Sequence, residues 1–288
     1  MTEDLSVSFE FFPPTSEKAE ARLWNTVEKL APLRPAFASV TYGAGGTTRE
    51  RTLKIVKTLK QDGRMVPAAH LTCVGAEKAE IDDIARGWLG EGITHLVALR
   101  GDPPKGSGEY SPHPGGYANA AALVEGLRKI GDFDISVAAY PEAHPDSPSE
   151  RADIENLKAK IGNGAARAIT QYFFDAELFL RFRDKVAAAG IDVPIVPGIM
   201  PITNFGKTVN FSKACGATVP DWLHARFEGL DEDPETRELV AASTAADLCH
   251  QLMSEGVTDF HFYTLNVPSL TYAVCHLLGI RPDVSEAA

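Results

Sequence analysis

Side chains able to do chemistry follow several short apolar runs of this sequence. Glu10 lies in SFEFFPP, Asp102 in ALRGDPP and Gln171 in ITQYFFD, each at or just after the end of its run. A carboxylic acid can transfer a proton, a carboxylate can stabilise a nearby cation, and an amide can hydrogen-bond a polar ring. Burying Glu10 among phenylalanines is costly unless the carboxyl group is paired or protonated, so a structural role alone gives little reason to place it there.

Each of these residues also has a purely structural interpretation. Glu10 could be an ion-pair partner of Arg100. Asp102 precedes a proline and could cap a turn, and Gln171 could be a hydrogen-bonded buried amide. The functional interpretation depends on many such residues meeting on one face. The other residues at run ends, most of them polar or aromatic, are Thr41, Tyr42, His70, Thr72, Arg100, Gly101, Tyr140, Pro197, Gly198, His261 and Tyr263.

The elements that must position these residues alternate regularly between strand and helix. β-branched apolar runs predict strands near 5–11, 36–42, 66–73, 93–99, 134–140, 166–173, 193–199 and 257–263. Helical periodicity predicts helices near 17–31, 48–61, 78–90, 118–130, 150–162, 176–189, 204–214, 235–255 and 268–278. Eight such units favour a single α/β domain over residues 1–288, a (β/α)₈ TIM-type barrel whose active site lies at the carboxyl ends of the strands.

Local signals predict where some helices begin and end. Thr47 with Glu50, and Ser147 with Glu150, have the spacing of a capping box, and Gly190 follows a helix that it is expected to end.

Two stretches interrupt the alternation and are expected to be long loops at the barrel rim. They are 103–117, rich in proline and glycine, and the acidic 215–234. Backbone amides of the glycine-rich segments 43–46 and 106–116 could contact phosphate or ribose.

Composition excludes several classes of protein. A formal net charge of −11 argues against a nucleic-acid-binding surface. No window approaches the roughly 20 apolar residues of a membrane span, and the first residues lack the pattern of a signal peptide. The four cysteines are widely spaced and are expected to be buried small hydrophobes. These features favour a cytoplasmic protein.

The sequence gives little support for other kinds of reactive site. A metal site made from His70, Asp102 and His261 is conceivable, but the spacing is unlike that of metal motifs, and histidines on apolar strands are more often hydrogen-bonded core residues. No metal is therefore expected. A phosphate-binding P-loop, a zinc-protease H-E-x-x-H and a G-x-S-x-G are absent from the sequence, and the glycines at 43–46 give only a fragment of a dinucleotide fingerprint.

Eight segments in order resemble the methylenetetrahydrofolate reductases of the short bacterial type, which consist of the catalytic barrel alone. The segments are SFEFFPP, SVTYGA, HLTC, HLVALRGD, FDISVAAYPE, AITQYFFD, PGIMPITNF and DFHFYTLN. The resemblance implies non-covalent FAD that is reduced by NADH or NADPH and then reduces 5,10-methylenetetrahydrofolate to 5-methyltetrahydrofolate in a ping-pong reaction, possible also in reverse. It further implies a homo-oligomer that serves one-carbon metabolism and methionine biosynthesis.

The resemblance also implies roles for individual residues. Glu10 corresponds to the acid that protonates folate N10, Asp102 to a catalytic aspartate beside flavin and folate, Gln171 to a folate contact, and Phe211 to an aromatic ring that stacks on either substrate. The implied flavin contacts are Thr41, His70, Arg100, Gly101, Asp102, Tyr117, Tyr140, His144, Asp153, Asn156 and Lys160.

Three positions depart from the family pattern. Ala159 stands near Lys160 where a basic residue is common, and Lys207 and Val267 stand where a glutamine and an arginine would help to hold folate. The sequence does not distinguish NADH from NADPH. Two alternatives stay open: a barrel hydrolase that uses Glu10 and Asp102 as a carboxylate pair, and a non-catalytic folate-binding protein.

Overall fold

Nine parallel strands form a single sheet in the computed structural model, which describes residues 5–42, 49–103 and 110–282. The sheet order is β7-β6-β5-β4-β3-β2-β1-β9-β8. The strands are β1 (Ser6–Phe11), β2 (Ala38–Val40), β3 (Pro67–Thr72), β4 (His95–Leu99), β5 (Asp134–Ala139), β6 (Arg167–Thr170), β7 (Ile195–Val196), β8 (Gly198–Ile199) and β9 (Asp259–Tyr263).

The seventh predicted strand, 193–199, is divided at Pro197 into β7 and β8. β7 pairs with β6, whereas β8 pairs with β9. Proline has no amide hydrogen and interrupts the ladder, while its carbonyl accepts a hydrogen bond from the His261 amide at 3.0 Å. Because this one segment joins both ends of the sheet, the sheet curls into a nearly closed barrel, and the predicted (β/α)₈ class is confirmed.

Helices surround the barrel, and nine of those in the described part of the chain match predictions. They are α1 (Glu17–Leu30), α2 (Arg49–Asp62), α3 (Lys78–Gly90), α4 (Ala120–Ile130), α5 (Glu150–Gly162), α6 (Ala176–Ala188), α7 (Phe205–Cys215), α9 (Pro234–Ser254) and α10 (Pro268–Leu277), with a short 3₁₀ turn at Ala31–Leu33. None of the described helices is long and apolar enough to cross a bilayer.

The expectation that 215–234 is entirely a loop is wrong, because α8 (Asp221–Phe227) lies within it. Its buried residues Leu223 and Phe227 are four apart, one helical turn, and Phe227 stacks on Phe205 with ring centroids 5.0 Å apart. An apolar stripe of two residues is too short to stand out as a periodic pattern.

The start of α5 also differs from the prediction. Ser149, not Ser147, is the N-cap, and its hydroxyl accepts a hydrogen bond from the Ala152 amide at 3.2 Å. Ser147 precedes Pro148, and a residue before proline disfavours the helical conformation. The predicted cap at Thr47 lies outside the described residues. Gly190 directly follows the end of α6 with a positive φ of 79°, as predicted for a residue that ends a helix.

Alternate residues of each strand face opposite sides of the barrel wall. Phe9 and Phe11 are fully buried in the layer between strands and helices, so Glu10 between them faces the barrel interior. The lower interior is filled by a small apolar cluster of Phe37, Ala68, Val97, Ile169 and Val196. The phenylalanines next to Glu10 in the sequence therefore do not surround its carboxyl group.

Candidate active site at the carboxyl ends of the strands

Two histidines flank the Glu10 carboxyl group inside the barrel. Glu10 Oε2 lies 3.4 Å from Nε2 of His70 and 3.8 Å from Nε2 of His261, and the Glu10 side chain is 12% exposed. His261 is oriented by a 2.7 Å hydrogen bond between its Nδ1 and the Ser8 hydroxyl. The predicted alternative of an ion pair between Glu10 and Arg100 is wrong, because Arg100 pairs elsewhere and the histidines occupy its place.

His70 is buried and leaves one ring nitrogen without a hydrogen bond. Burial lowers the pKa of His70, an effect that the charge of Glu10 opposes. His70 Nε2, 3.4 Å from Glu10 Oε2, and the Thr72 hydroxyl make no hydrogen bond with the described residues. Buried polar groups are normally hydrogen-bonded, so these two groups at the barrel mouth favour a polar ligand that would satisfy them.

Tyr263 connects the Glu10 region to the end of β6. It pairs with Glu10 in the strand register, and its hydroxyl donates to the Thr170 carbonyl at 2.7 Å, immediately before Gln171. The ring passes over Gly198, where a Cβ atom would lie 2.6 Å from Tyr263 and 2.2 Å from the Thr170 carbonyl. Burial raises the pKa of Tyr263 well above its usual value, so the phenol remains a hydrogen-bond donor.

Aromatic rings continue from this wall to the rim of the barrel. Phe211 on α7 is 52% exposed and stacks on Tyr172 with ring centroids 5.9 Å apart and planes 20° apart. Tyr172 contacts the Tyr263 ring edge-on at 6.4 Å and hydrogen-bonds the Ser212 hydroxyl at 3.0 Å. An exposed ring held by a buried one provides a surface on which a planar ligand could stack.

A cavity of about 370 Å³ opens beside this region, between the ends of β4 and β5 and helix α5. Eight of the eleven flavin contacts implied by the family resemblance line it. They are Arg100, Gly101, Asp102, Tyr140, His144, Asp153, Asn156 and Lys160. The lining also contains Asn119 and Asp146, which the sequence did not single out, and Ser147, which the sequence singled out only as a helix cap.

Lys160 is a cation buried at the base of this cavity. It is 6% exposed, and its Nζ donates to the Ala138 carbonyl at 2.8 Å. Burial lowers the pKa of Lys160 to about 8, an effect that the charge of Asp153 opposes. The Asp153 carboxylate in turn accepts a hydrogen bond from the His144 amide at 2.9 Å. A buried cation at physiological pH favours an anionic ligand.

Arg100 holds a second positive charge at the cavity entrance. Its guanidinium lies 2.7 Å from Asp146 Oδ2 and 4.5 Å from the centre of the Tyr110 ring. Gly101 after it has a positive φ of 81°, and a Cβ there would lie 2.6 Å from Val74. Only glycine fits this turn, which brings exposed Asp102 into the lining of the cavity.

The remaining predicted contacts lie outside the cavity lining. Thr41 follows β2, and its carbonyl accepts a hydrogen bond from Thr52 at 2.8 Å. Tyr117 is buried between α3 and α4, with its hydroxyl 2.7 Å from Asp82. His70 faces Glu10. Two positions that depart from the family pattern also lie near the ends of elements: Lys207 is exposed in the first turn of α7, and Val267 caps α10.

The cysteines form no disulfide, and the metal-ligating side chains are dispersed in the described part of the chain. All four cysteines are free thiols, and all but the half-buried Cys215 are buried. Within residues 5–42, 49–103 and 110–282, no three His, Cys, Asp or Glu side chains are grouped so as to hold a metal ion.

Fold and site together are those of an α/β barrel with the carboxyl group of Glu10 near the carboxyl end of its strand and, beside it, a cavity lined by the cations Arg100 and Lys160. The methylenetetrahydrofolate reductase family model matches residues 1–279. The chain belongs to this family.

Similar proteins agree with that membership. A 5,10-methylenetetrahydrofolate reductase of Pectobacterium carotovorum is 52% identical over 98% of this chain and 93% of its own length. That of Escherichia coli K12 is 51% identical over 97% and 93%. Methylenetetrahydrofolate reductase (NADH) 1 of Arabidopsis thaliana is 36% identical over 95% of this chain and 48% of its own.

The fold is also shared with a solved structure of low sequence similarity. A Clostridium thermocellum protein, described as binding two copies of 5-methyl-5,6,7,8-tetrahydrofolic acid, has a TM-score of 0.64 and 15% identity over 97% of this chain and 96% of its own.

Proposed function

We propose that this chain binds FAD non-covalently and uses NADH or NADPH to reduce 5,10-methylenetetrahydrofolate to 5-methyltetrahydrofolate. The observation that carries the proposal is the cavity with Arg100 and Lys160 opening beside the Glu10 mouth. When bound, FAD would supply hydride transfer between the two substrates in separate, ping-pong half-reactions. The family name supports the folate half of this reaction.

The side chains of the cavity fit the chemistry of FAD. Arg100 and Lys160 would hold the pyrophosphate, because both are cations and Lys160 is buried with few competing solvent contacts. Asp153 and Asn156 offer groups for ribose or adenine. At the mouth, His70 Nε2 and the Thr72 hydroxyl, which make no hydrogen bond with the described residues, would find hydrogen-bond partners on a polar ring such as isoalloxazine.

Glu10 would act as the general acid of folate reduction. A proton held on its carboxyl group and delivered to N10 of the substrate would open the one-carbon bridge and leave a cationic N5 iminium group ready for hydride. Largely buried, the group is shielded from bulk water, which strengthens its interaction with the substrate. The backbone of Glu10 is fixed by the Thr264 hydroxyl, which donates to its carbonyl at 2.7 Å.

Asp102, Gln171 and Phe211 would position and stabilise the substrates. The exposed carboxylate of Asp102 would stabilise the cationic form of the folate. The Gln171 amide would hydrogen-bond the pterin, and the half-exposed Phe211 ring would stack on the nicotinamide or the folate in turn. Family membership favours this reductase over the barrel hydrolase and the non-catalytic folate-binding protein that the sequence alone left open.

Anaerobic spectroscopy of the purified 288-residue chain tests the proposal. We expect the protein to acquire a flavin absorption band with FAD, to lose it with NADH or NADPH, and to regain it on addition of 5,10-methylenetetrahydrofolate with formation of 5-methyltetrahydrofolate. A chain that binds no FAD, or whose reduced flavin is not reoxidised by the folate, contradicts it. Lys160→Met is the matched negative control for flavin binding, and Lys158→Met, an exposed lysine of the same helix, should bind as the wild type does.

A further inference from the structure

The described lining of the cavity contains more negative than positive charge. Its cations are Arg100 and Lys160, and its carboxylates are Asp102, Asp146 and Asp153. Asp153 is partly used by the His144 amide. Because a pyrophosphate group carries two negative charges of its own, its binding requires that at least one carboxylate no longer compete for the cations.

Asp146 is the carboxylate in direct contact with a cation. Its Oδ2 lies 2.7 Å from a terminal nitrogen of Arg100, and the hydrogen bond from Arg100, together with its charge, lowers the pKa of Asp146. The Asp146 side chain is 55% exposed, whereas that of Arg100 is 26% exposed. The more exposed carboxylate can turn to solvent more readily than the guanidinium can leave its site.

The rest of the Arg100 environment would remain when Asp146 leaves. The guanidinium lies over the Tyr110 ring at 4.5 Å, and its Nε faces the Gly101 carbonyl at 3.4 Å. These contacts hold the planar group in one orientation. The loop carrying Asp146 is turned by separate hydrogen bonds, from the Asp146 amide to His144 Nδ1 and from the Ser147 amide to the His144 carbonyl.

We propose that Asp146 is a specificity-determining residue whose carboxylate competes with the phosphoryl groups of the ligand for Arg100. This role rests on the flavin-binding function proposed above. The competition changes the affinity for phosphorylated ligands only. A ligand without phosphate does not require Arg100 and is unaffected. Asp146 therefore lowers affinity for dinucleotides while leaving the flavin ring's own contacts unchanged.

Calorimetric titration of flavin-free, full-length protein with FAD, ADP and riboflavin tests this role. Asp146→Asn should tighten FAD and ADP by about three- to fivefold, the range expected when a partly exposed ion pair is lost, and should leave riboflavin unchanged. Asp132→Asn is the charge-matched control, because Asp132 is an exposed carboxylate paired with Arg128 at 3.3 Å.

A second background separates direct competition from a general change of charge. In Arg100→Met protein the Asp146→Asn substitution should no longer tighten ADP. The inference is overturned if Asp146→Asn protein binds FAD and ADP no more tightly than wild type. It is also overturned if the substitution tightens ADP binding equally in the Arg100→Met background. In both cases the flavin-binding function stands. If wild-type protein binds neither FAD nor riboflavin, the proposed function itself fails.

Discussion

Replacing Lys160 with methionine should stabilise the flavin-free protein and weaken FAD binding. The pKa of Lys160 falls from its ordinary 10.5 to about 8 on folding. At about 1.4 kcal/mol per pH unit, holding this charged group in the folded chain costs about 3 kcal/mol at neutral pH. Methionine removes that cost but also the hydrogen bond to Ala138, worth about 1 kcal/mol. The net expectation is a gain of about 2 kcal/mol, or roughly 4 °C in Tm.

The pH dependence gives an independent check on the same reasoning. Below pH 8 Lys160 is protonated in both the folded and the unfolded chain. Between about pH 8 and 10.5 the unfolded chain keeps a proton that the folded chain has lost, so this group makes the free energy of unfolding rise with pH. In Lys160→Met that contribution should be absent.

Urea unfolding of flavin-free protein at pH 7 and at pH 9.5 measures both effects, with FAD titration alongside. Lys158→Met, at an exposed lysine on the same helix, should leave affinity unchanged and lower the free energy of unfolding by at most about 1 kcal/mol, because its Nζ donates one exposed hydrogen bond, to the Ala189 carbonyl at 2.9 Å. A Lys160→Met protein that is less stable than wild type at pH 7, or that binds FAD as tightly, would refute the assignment of Lys160 as a buried cation kept for an anionic ligand.

Three further substitutions test other parts of the site. Asp102→Asn should slow both half-reactions in stopped-flow kinetics, because its charge lies in the proposed flavin cavity; wild-type rates would exclude that role. Phe211→Ala should raise the folate KM by about three- to tenfold through the loss of a stacking surface, with little change in Tm. Leu239→Ala, a control at an apolar side chain that is still more exposed, should leave KM unchanged. Gly198→Ala should lower the free energy of unfolding by about 2 to 3 kcal/mol, because its Cβ would overlap Thr170 and Tyr263. Gly87→Ala, on an open helix surface, should raise the free energy of unfolding by about 1 kcal/mol. Equal effects of the two substitutions on thermal unfolding would contradict the packing argument.

Much of the fold could be predicted because its signals are local. β-branched runs and helical periodicity located every unit of the barrel, and the end of a parallel strand identifies the functional face without any knowledge of contacts. The division of the seventh strand was not anticipated, although Pro197 carried the signal in its missing amide. Helix α8 was missed because its buried stripe, Leu223 and Phe227, is only one turn long.

The side-chain partners could not be read from the sequence with the same accuracy. Arg100 and Asp146 are far apart along the chain, and no local pattern distinguishes Asp146 from other acids as the partner. For Glu10, strand alternation already indicates that its sequence neighbours face the outer layer and not its carboxyl group. The side chains that lie beside the carboxyl group are His70 and His261, which come from other strands. The sequence thus predicted where the site lies, but the partners of its charged side chains could be identified only from the folded structure.

In the proposed reaction Glu10 supplies a proton to the folate and takes no part in reduction by the nicotinamide. Anaerobic stopped-flow measurement of both half-reactions in Glu10→Gln protein tests it most directly, because glutamine keeps the shape of the side chain and removes its acid. We expect flavin reduction by NADH or NADPH within about threefold of wild type and folate-dependent reoxidation slowed by at least about a hundredfold. Equal loss of both half-reactions, or normal reoxidation by the folate, would show that Glu10 is not the specific acid of folate reduction.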